Sequence, residues 1–132
     1  MQMNQHKFKK EERLKSRKLI TGLFENGKII HAYPFKILYN FSNYKEQTSP
    51  VQMGVSVSKR NFKTAVARNR IKRKIREAYR LNKHALYQNL GSYNQKLHLF
   101  VIYTTKIDED YQAIEKGIHA MIRKIHQKEQ KA

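Results

Sequence analysis

The stretch Ala65-Val66-Ala67-Arg68-Asn69-Arg70-Ile71-Lys72-Arg73-Lys74-Ile75-Arg76-Glu77-Ala78-Tyr79-Arg80 decides how this chain is read. At about 100° per residue, Ala67, Ile71, Ile75 and Ala78 fall on one side of a helix, with Tyr79 at its edge. Asn69, Arg73, Arg76 and Arg80 fall on the opposite side, and Arg70 and Lys72 flank them. The spacing predicts a helix over about Thr64 to Leu81, held by its apolar face, with a basic stripe turned outward. Arg68 lies near the rim of the apolar side, where its stem can pack while its head reaches the edge of a sheet. Extended back to Lys59, the segment holds ten Lys and Arg against the single Glu77, which is nine of the net charge of +18. Surface helices usually mix signs for pairing at four-residue spacing, and one Glu cannot pair with ten cations. Arg grips a phosphate with a planar fork of donors, and Lys adds a mobile point charge. Asn69 can hold a ribose hydroxyl or a base edge.

Outward from this helix the pattern changes period. Val51, Met53, Val55 and Val57 alternate with Gln52, Gly54, Ser56 and Ser58, the mark of a strand with one core face. Tyr33 to Phe41 alternates likewise and puts Phe35, Ile37, Tyr39 and Phe41 together, while Leu97 to Tyr103 is a short apolar run. Asn40 to Pro50 reads as a loop. Ser16 is placed to cap a first helix over about Arg17 to Asn26, with Gly27 just past its end. A last helix follows Asp108, its expected cap, with Tyr111, Ile114, Ile118, Met121, Ile122 and Ile125 as its stripe. The order is helix, two or three strands, helix, strand, helix. A strand, helix, strand unit in the middle implies a parallel pair joined by a crossover. Met1 to Lys10 is polar and reads as a flexible arm; residues 11–132 read as a single RNA-binding domain.

Composition narrows the function. With 28 Lys and Arg against 10 Asp and Glu, the chain attracts polyanions. Solubility alone needs a net charge of only about 2–8. No apolar run of about 18 residues exists to span a bilayer, and the N-terminus has no apolar core of the secretory type. The chain has no cysteine, which removes disulfides, thiolate nucleophiles and sulfur-ligated zinc and fits a cytoplasmic setting. The six histidines make no metal pair on one helix face, although His119 and His126 are seven apart. Asp108, Glu109 and Asp110 sit at a helix start, where acids are expected for capping. No constellation for protein-based phosphodiester cleavage is legible, so no catalytic residue and no metal ligand is assigned.

The stretch from Ala65 to Arg80 resembles the signature helix of the bacterial ribonuclease P protein family, whose pattern is Ala-Val, Arg-Asn-Arg, an aliphatic residue, Lys-Arg, then Arg-Glu and an aromatic. Val55-Ser56-Val57-Ser58-Lys59-Arg60 resembles the family's preceding strand, and Arg13-Leu14, Phe24 and Gly27-Lys28 its first helix and exit. The resemblance runs from about Phe8 into the last helix. It implies an α+β fold, a four-stranded sheet flanked by three helices with a left-handed β-α-β crossover. It implies contacts to a catalytic RNA at Lys59, Arg60, Arg68, Asn69, Arg70, Lys72, Arg73 and Arg76. It also implies a cleft for the single-stranded 5′ leader of precursor tRNA, lined by Phe24 and by Phe35 or Tyr39.

In that reading the active site belongs to ribonuclease P RNA with bound Mg²⁺, and the protein, with no cofactor of its own, assists leader removal. The expected partners are the RNA subunit and precursor tRNA, with no membrane and no small-molecule substrate. Two features depart from the family pattern. Asn61-Phe62-Lys63-Thr64 is one residue longer than the usual link and lacks its glycine. Ile20 stands where the family often has an aromatic one turn before Phe24. The alternatives are a basic ribosomal or other structural RNA-binding protein, which composition alone does not separate, and a major-groove DNA binder. The DNA reading lacks a partner helix before Thr64. A membrane-surface role ranks last, because the core claims the apolar side of the helix.

Overall fold

A computed structural model describes residues 8–42, 49–90 and 96–130. Its elements are α1 (Arg17–Asn26), β1 (Lys28–Ala32), β2 (Phe35–Ser42), β3 (Val51–Val57), α2 (Ala65–Leu90), β4 (Lys96–Tyr103) and α3 (Tyr111–Gln130). The strands form one sheet in the order β1-β2-β4-β3, antiparallel except for the β3–β4 pair. That parallel pair, joined through α2, is the crossover unit expected from the sequence.

Alternation sorts the sheet into two faces. Phe35, Ile37, Tyr39, Val51, Met53, Val57, Leu97, Leu99, Val101 and Tyr103 are buried on the face covered by α2 and α3. Ile71, Ile75, Ala78 and Tyr79 meet them from α2, and Ile114, Ile118, Met121, Ile122 and Ile125 from α3. Full burial of such side chains contributes roughly 1.5–3 kcal/mol each, which outweighs the weak helix propensity of the isoleucines. The other face carries a smaller cluster of Leu14, Leu23 and Leu38, packed with Leu19, Ile20, Phe100 and Ile102. Short α1 lies there and leaves part of the sheet uncovered.

Local chemistry sets most boundaries. Ser16 Oγ accepts from Leu19 N–H, and Gly27 N–H closes α1 on Leu23 O at 2.9 Å. Thr64 Oγ1 accepts from Ala67 N–H at 3.1 Å and caps α2. The cap of α3 is Asp110, which accepts from Ala113 N–H at 2.9 Å, and not Asp108. Asp108 is drawn away by Arg70 at 2.9 Å and Lys74 at 3.1 Å. Helix α2 runs nine residues past the expected Leu81, because Lys83 and Leu86 are buried there. Strand β1 is short, with only Ile30 and Ala32 buried, and turns into β2 through Tyr33-Pro34 with a cis peptide bond.

Both sheet edges are covered, as exposed edges invite pairing with other chains. On β1, Lys124 Nζ donates to His31 O at 2.6 Å and Lys128 Nζ to Ile29 O at 3.4 Å. On β3, an N-terminal strap lies alongside. Arg13 bridges Met53 in parallel, Leu14 N–H donates to Met53 O, and Gln52 Nε2 donates to Glu11 O. The strap is pinned by Glu12, buried against Lys83 Nζ at 2.7 Å. Phe8, inside the span read as an arm, packs edge-on to Tyr79 at 5.6 Å. Met1 to Lys7 lie outside the described residues.

Candidate nucleic-acid interface

The exposed face of α2 is built as the helical spacing requires. Ile71, Ile75, Ala78 and Tyr79 take the buried side, so Asn69, Arg73 and Arg76 stand exposed on the other. These three share a surface cavity of about 480 Å³ with Phe8, Arg13, Glu77 and Arg80. Its one carboxylate is already committed: Arg80 grips Glu77 with two bonds, at 2.7 and 2.9 Å. The hydrogen bonds from Arg80, and then its charge, hold the Glu77 carboxyl below its ordinary value against a small cost of burial. Desolvation first, and then the Arg13 charge, hold the Arg76 guanidinium below its usual value. A phosphate seated there would face Arg13, Arg73 and Arg76 together.

The other predicted contacts divide into two groups. Lys59 and Arg60 are exposed in the turn after β3, where Arg60 N–H donates to Ser58 Oγ at 3.0 Å. Lys72 is half-buried on α2. Arg68 turns back instead, donating through Nη1 to Phe62 O at 2.8 Å and Lys63 O at 3.1 Å. It fixes the lengthened link, whose Phe62 ring packs on Tyr103. Arg70 is exposed but holds Asp108. Burial pushes the Asp108 carboxyl up, yet Lys74 and Arg70 together hold it below its ordinary value. In this arrangement Arg68 and Arg70 shape the surface, while Asn69, Arg73 and Arg76 present it.

On the uncovered sheet face a second cavity of about 200 Å³ adjoins the first, and Phe8, Arg13 and Arg76 line both. Ile20 of α1 and Gly54 and Phe100 of the sheet also line it, and Met53 and Val55, of the opposite parity, reach it at the β3 edge. Phe24 is 59% exposed at its margin, and its ring meets Phe100 edge-on at 5.6 Å.

A family model described as Ribonuclease P matches residues 8–126. The chain belongs to the ribonuclease P protein family. The ribonuclease P protein component of Porphyromonas gingivalis is 35% identical over 118 residues, 88% of this chain and 84% of that protein. That of Streptococcus agalactiae serotype Ia is 36% identical over 111 residues, 83% of this chain and 90% of the relative. Two solved structures share the fold. The RNase P protein of Staphylococcus aureus aligns with a TM-score of 0.65 at 24% identity, covering 85% of this chain and 93% of its own. That of Thermotoga maritima aligns with a TM-score of 0.66 at 21% identity, covering 86% and 96%. The α+β architecture of a ribonuclease P protein is thus borne out, and membership makes the chain part of an endoribonuclease.

Two of the three residues expected in a leader cleft are misplaced by that expectation. Phe35 is 2% exposed and Tyr39 0%, both on the face sealed by α2 and α3. Tyr39 instead ties β2 to α3, its hydroxyl donating to Glu129 Oε2 at 2.8 Å beside Lys28. Burial first, then the Glu129 hydrogen bond, pushes its phenol well up. Neither ring can receive a base. Phe24 is apart from them, exposed on α1 and against Phe100 of the uncovered face. Arg13, Phe8 and Phe100 were not singled out for this surface. The only sequence signal for Phe100 is strand parity: it is one residue out of step with Leu97, Leu99 and Val101.

Proposed function

We propose that this chain binds the catalytic RNA of ribonuclease P through the exposed face of α2 and the turn before it. The same subunit holds the single-stranded 5′ leader of precursor tRNA on the uncovered sheet face near Phe24. The observation that carries this is the junction of the two cavities at Arg13 and Arg76. A cationic surface suited to phosphates runs directly into an apolar one suited to unpaired bases. Cleavage, in this reading, is left to RNA-bound Mg²⁺, and the protein screens phosphate repulsion and orients substrate. The described residues do not suit a divalent ion of their own. Asp108, Glu12, Glu77 and Glu129 are each engaged by Lys or Arg, and no group of three His, Cys, Asp or Glu converges among them. Among the described residues no helix is long and apolar enough to cross a membrane.

Reconstitution tests the reading. Added to a bacterial ribonuclease P RNA at low Mg²⁺, the protein should restore leader removal, and RNA-free protein should cleave nothing. Roughly six phosphate contacts imply a log–log salt slope of affinity of about −4 to −5. Cleavage by rigorously RNA-free protein, or a flat salt response, would overturn it.

A further inference from the structure

With Ile20 in the place of an aromatic, α1 offers the uncovered face a single ring, Phe24. The structure brings a second ring to it from another element. Phe100 lies in β4 between Leu38 of β2 and Gly54 of β3, all three on the face away from the main core. Its ring stands edge-on to Phe24 at 63° and 5.6 Å and is half-buried, so one side still borders the cavity.

Gly54 lets the Phe100 ring lie close over β3. A Cβ there would lie 2.9 Å from Phe100 Cδ1, which would push the ring away, and a tight 3.1 Å from Leu14 O. An ordinary core ring beneath α1 would be sealed by its neighbours. Here the cavity remains, and its rim carries Arg13, Lys15 and Arg76 with no carboxylate in its lining. Arg13 is steadied by its place over the Phe8 ring, 5.3 Å from the centroid.

We propose that Phe100 is the stacking platform for one unpaired leader base, supplying from β4 the ring that position 20 of α1 lacks. Arg13 and Arg76 stand where the neighbouring phosphate falls. An aliphatic side chain fills space, but only a ring offers the flat polarisable face on which a base of any identity stacks. The cations at the rim match a phosphodiester and would repel a cationic peptide, so the occupant is single-stranded RNA. The inference rests on the leader reading of this face.

The test uses holoenzyme assembled with ribonuclease P RNA, and precursor tRNAs carrying an abasic site at each leader position in turn. At one position the abasic site should weaken binding to the wild-type holoenzyme about five- to tenfold, the lower part of the range for a stacked base. Phe100→Leu should weaken the intact precursor by a similar factor and leave mature tRNA unchanged. At that position the two losses should not add, since both remove one contact. Phe100→Tyr should restore wild-type affinity, and Phe100→Met replaces the leucine variant if that one does not fold. The proposal is overturned if no abasic position weakens wild-type binding, or if the losses add fully at every position. Phe24→Ala separates the two levels. If it lowers the precursor-to-mature ratio while Phe100→Leu does not, only the role of Phe100 falls. If neither lowers it, the leader reading of the face falls too.

Discussion

Replacing Glu12 with Gln should destabilise the protein far more than a surface charge change does. Glu12 is 6% exposed and Lys83 3%. One carboxylate oxygen takes Lys83 Nζ at 2.7 Å and Tyr87 Oη–H at 2.5 Å, and the other takes Lys9 N–H at 2.6 Å. The amide of Gln can still accept, but it leaves a buried ammonium without its counter-charge. Breaking a buried pair from one side costs about 3–5 kcal/mol, against a total stability of about 5–15 kcal/mol for a domain. Glu12→Gln should sit near the lower figure, and Glu12→Leu with Lys83→Met should recover most of the loss, since removing both charges also removes their desolvation. Acid supplies a second signature. Burial pushes the Glu12 carboxyl up, but the bonds from Lys83, Tyr87 and Lys9 N–H outweigh it and hold it below its ordinary 4.5. A depressed carboxyl contributes its full stabilisation above the unfolded value, and loses it as pH falls through the folded one. The gap between wild type and Glu12→Gln should therefore be constant near neutrality and narrow below about pH 4.5. Urea unfolding followed by circular dichroism at pH 7 and at successively lower pH measures both effects. A variant within about 1 kcal/mol of wild type at pH 7, the range of exposed pairs, would refute the anchoring role. So would a gap that acid leaves unchanged.

The two sides of α2 should separate binding from folding. Arg73→Ala should weaken RNA affinity by about 1–3 kcal/mol with little change in melting temperature, whereas Ile75→Ala should cost about 2–5 kcal/mol of stability; unfolding by the first and not the second would reverse the helix orientation. Gly117→Ala should destabilise by about 1–3 kcal/mol through overpacking, although alanine favours a helix interior by about 1 kcal/mol. Its Cβ would fall 2.7 Å from Tyr33 O and from Phe35 Cε2, so a stabilised variant would show that the β1–β2 turn does not press on α3.

What the sequence disclosed followed from repeating patterns. The period of α2 separated Ile71 and Ile75 from Asn69, Arg73 and Arg76, because a buried stripe must repeat with the helix. Alternation placed Val51, Met53 and Val57 together for the same reason in a strand. Patterns failed where one residue answered to a distant partner. Lys83 reads as a solvated lysine until Glu12, seventy-one positions away, is seen against it, and with it goes the length of α2. Asp108 and Asp110 are equal candidates for a cap until Arg70 and Lys74 claim the first. Phe35 and Tyr39 were correctly grouped on one face. Sequence alone could not show that the helices seal that face and that the opposite parity, with Phe100, stays open. Alternation defines two faces, and tertiary packing chooses which one is covered.

Helices α2 and α3 make that choice, and the strap joins the covered face to the open one. Leu14 and Arg13 bind the edge of β3, Phe8 packs on Tyr79 of α2, and Glu12 reaches the buried Lys83. The segment therefore spans from sheet edge to helix and brings Arg13 to the border of both cavities. It does so against like charge, since Arg13 is the neighbour that helps depress Arg76. Like charges so placed repel, although desolvation and not Arg13 is the larger influence on Arg76. With a phosphate between them, the same placement becomes favourable, because each cation then faces an anion. An anchor must be strong where the residue beside it is held in an unfavourable place, and Glu12 is both the most enclosed carboxylate ion pair among the described residues and the immediate neighbour of Arg13. The buried pair at position 12 is thus best understood as the support of a binding group at position 13. A strap held only by exposed charges would release Arg13 from Arg76 and separate the basic face from the apolar one.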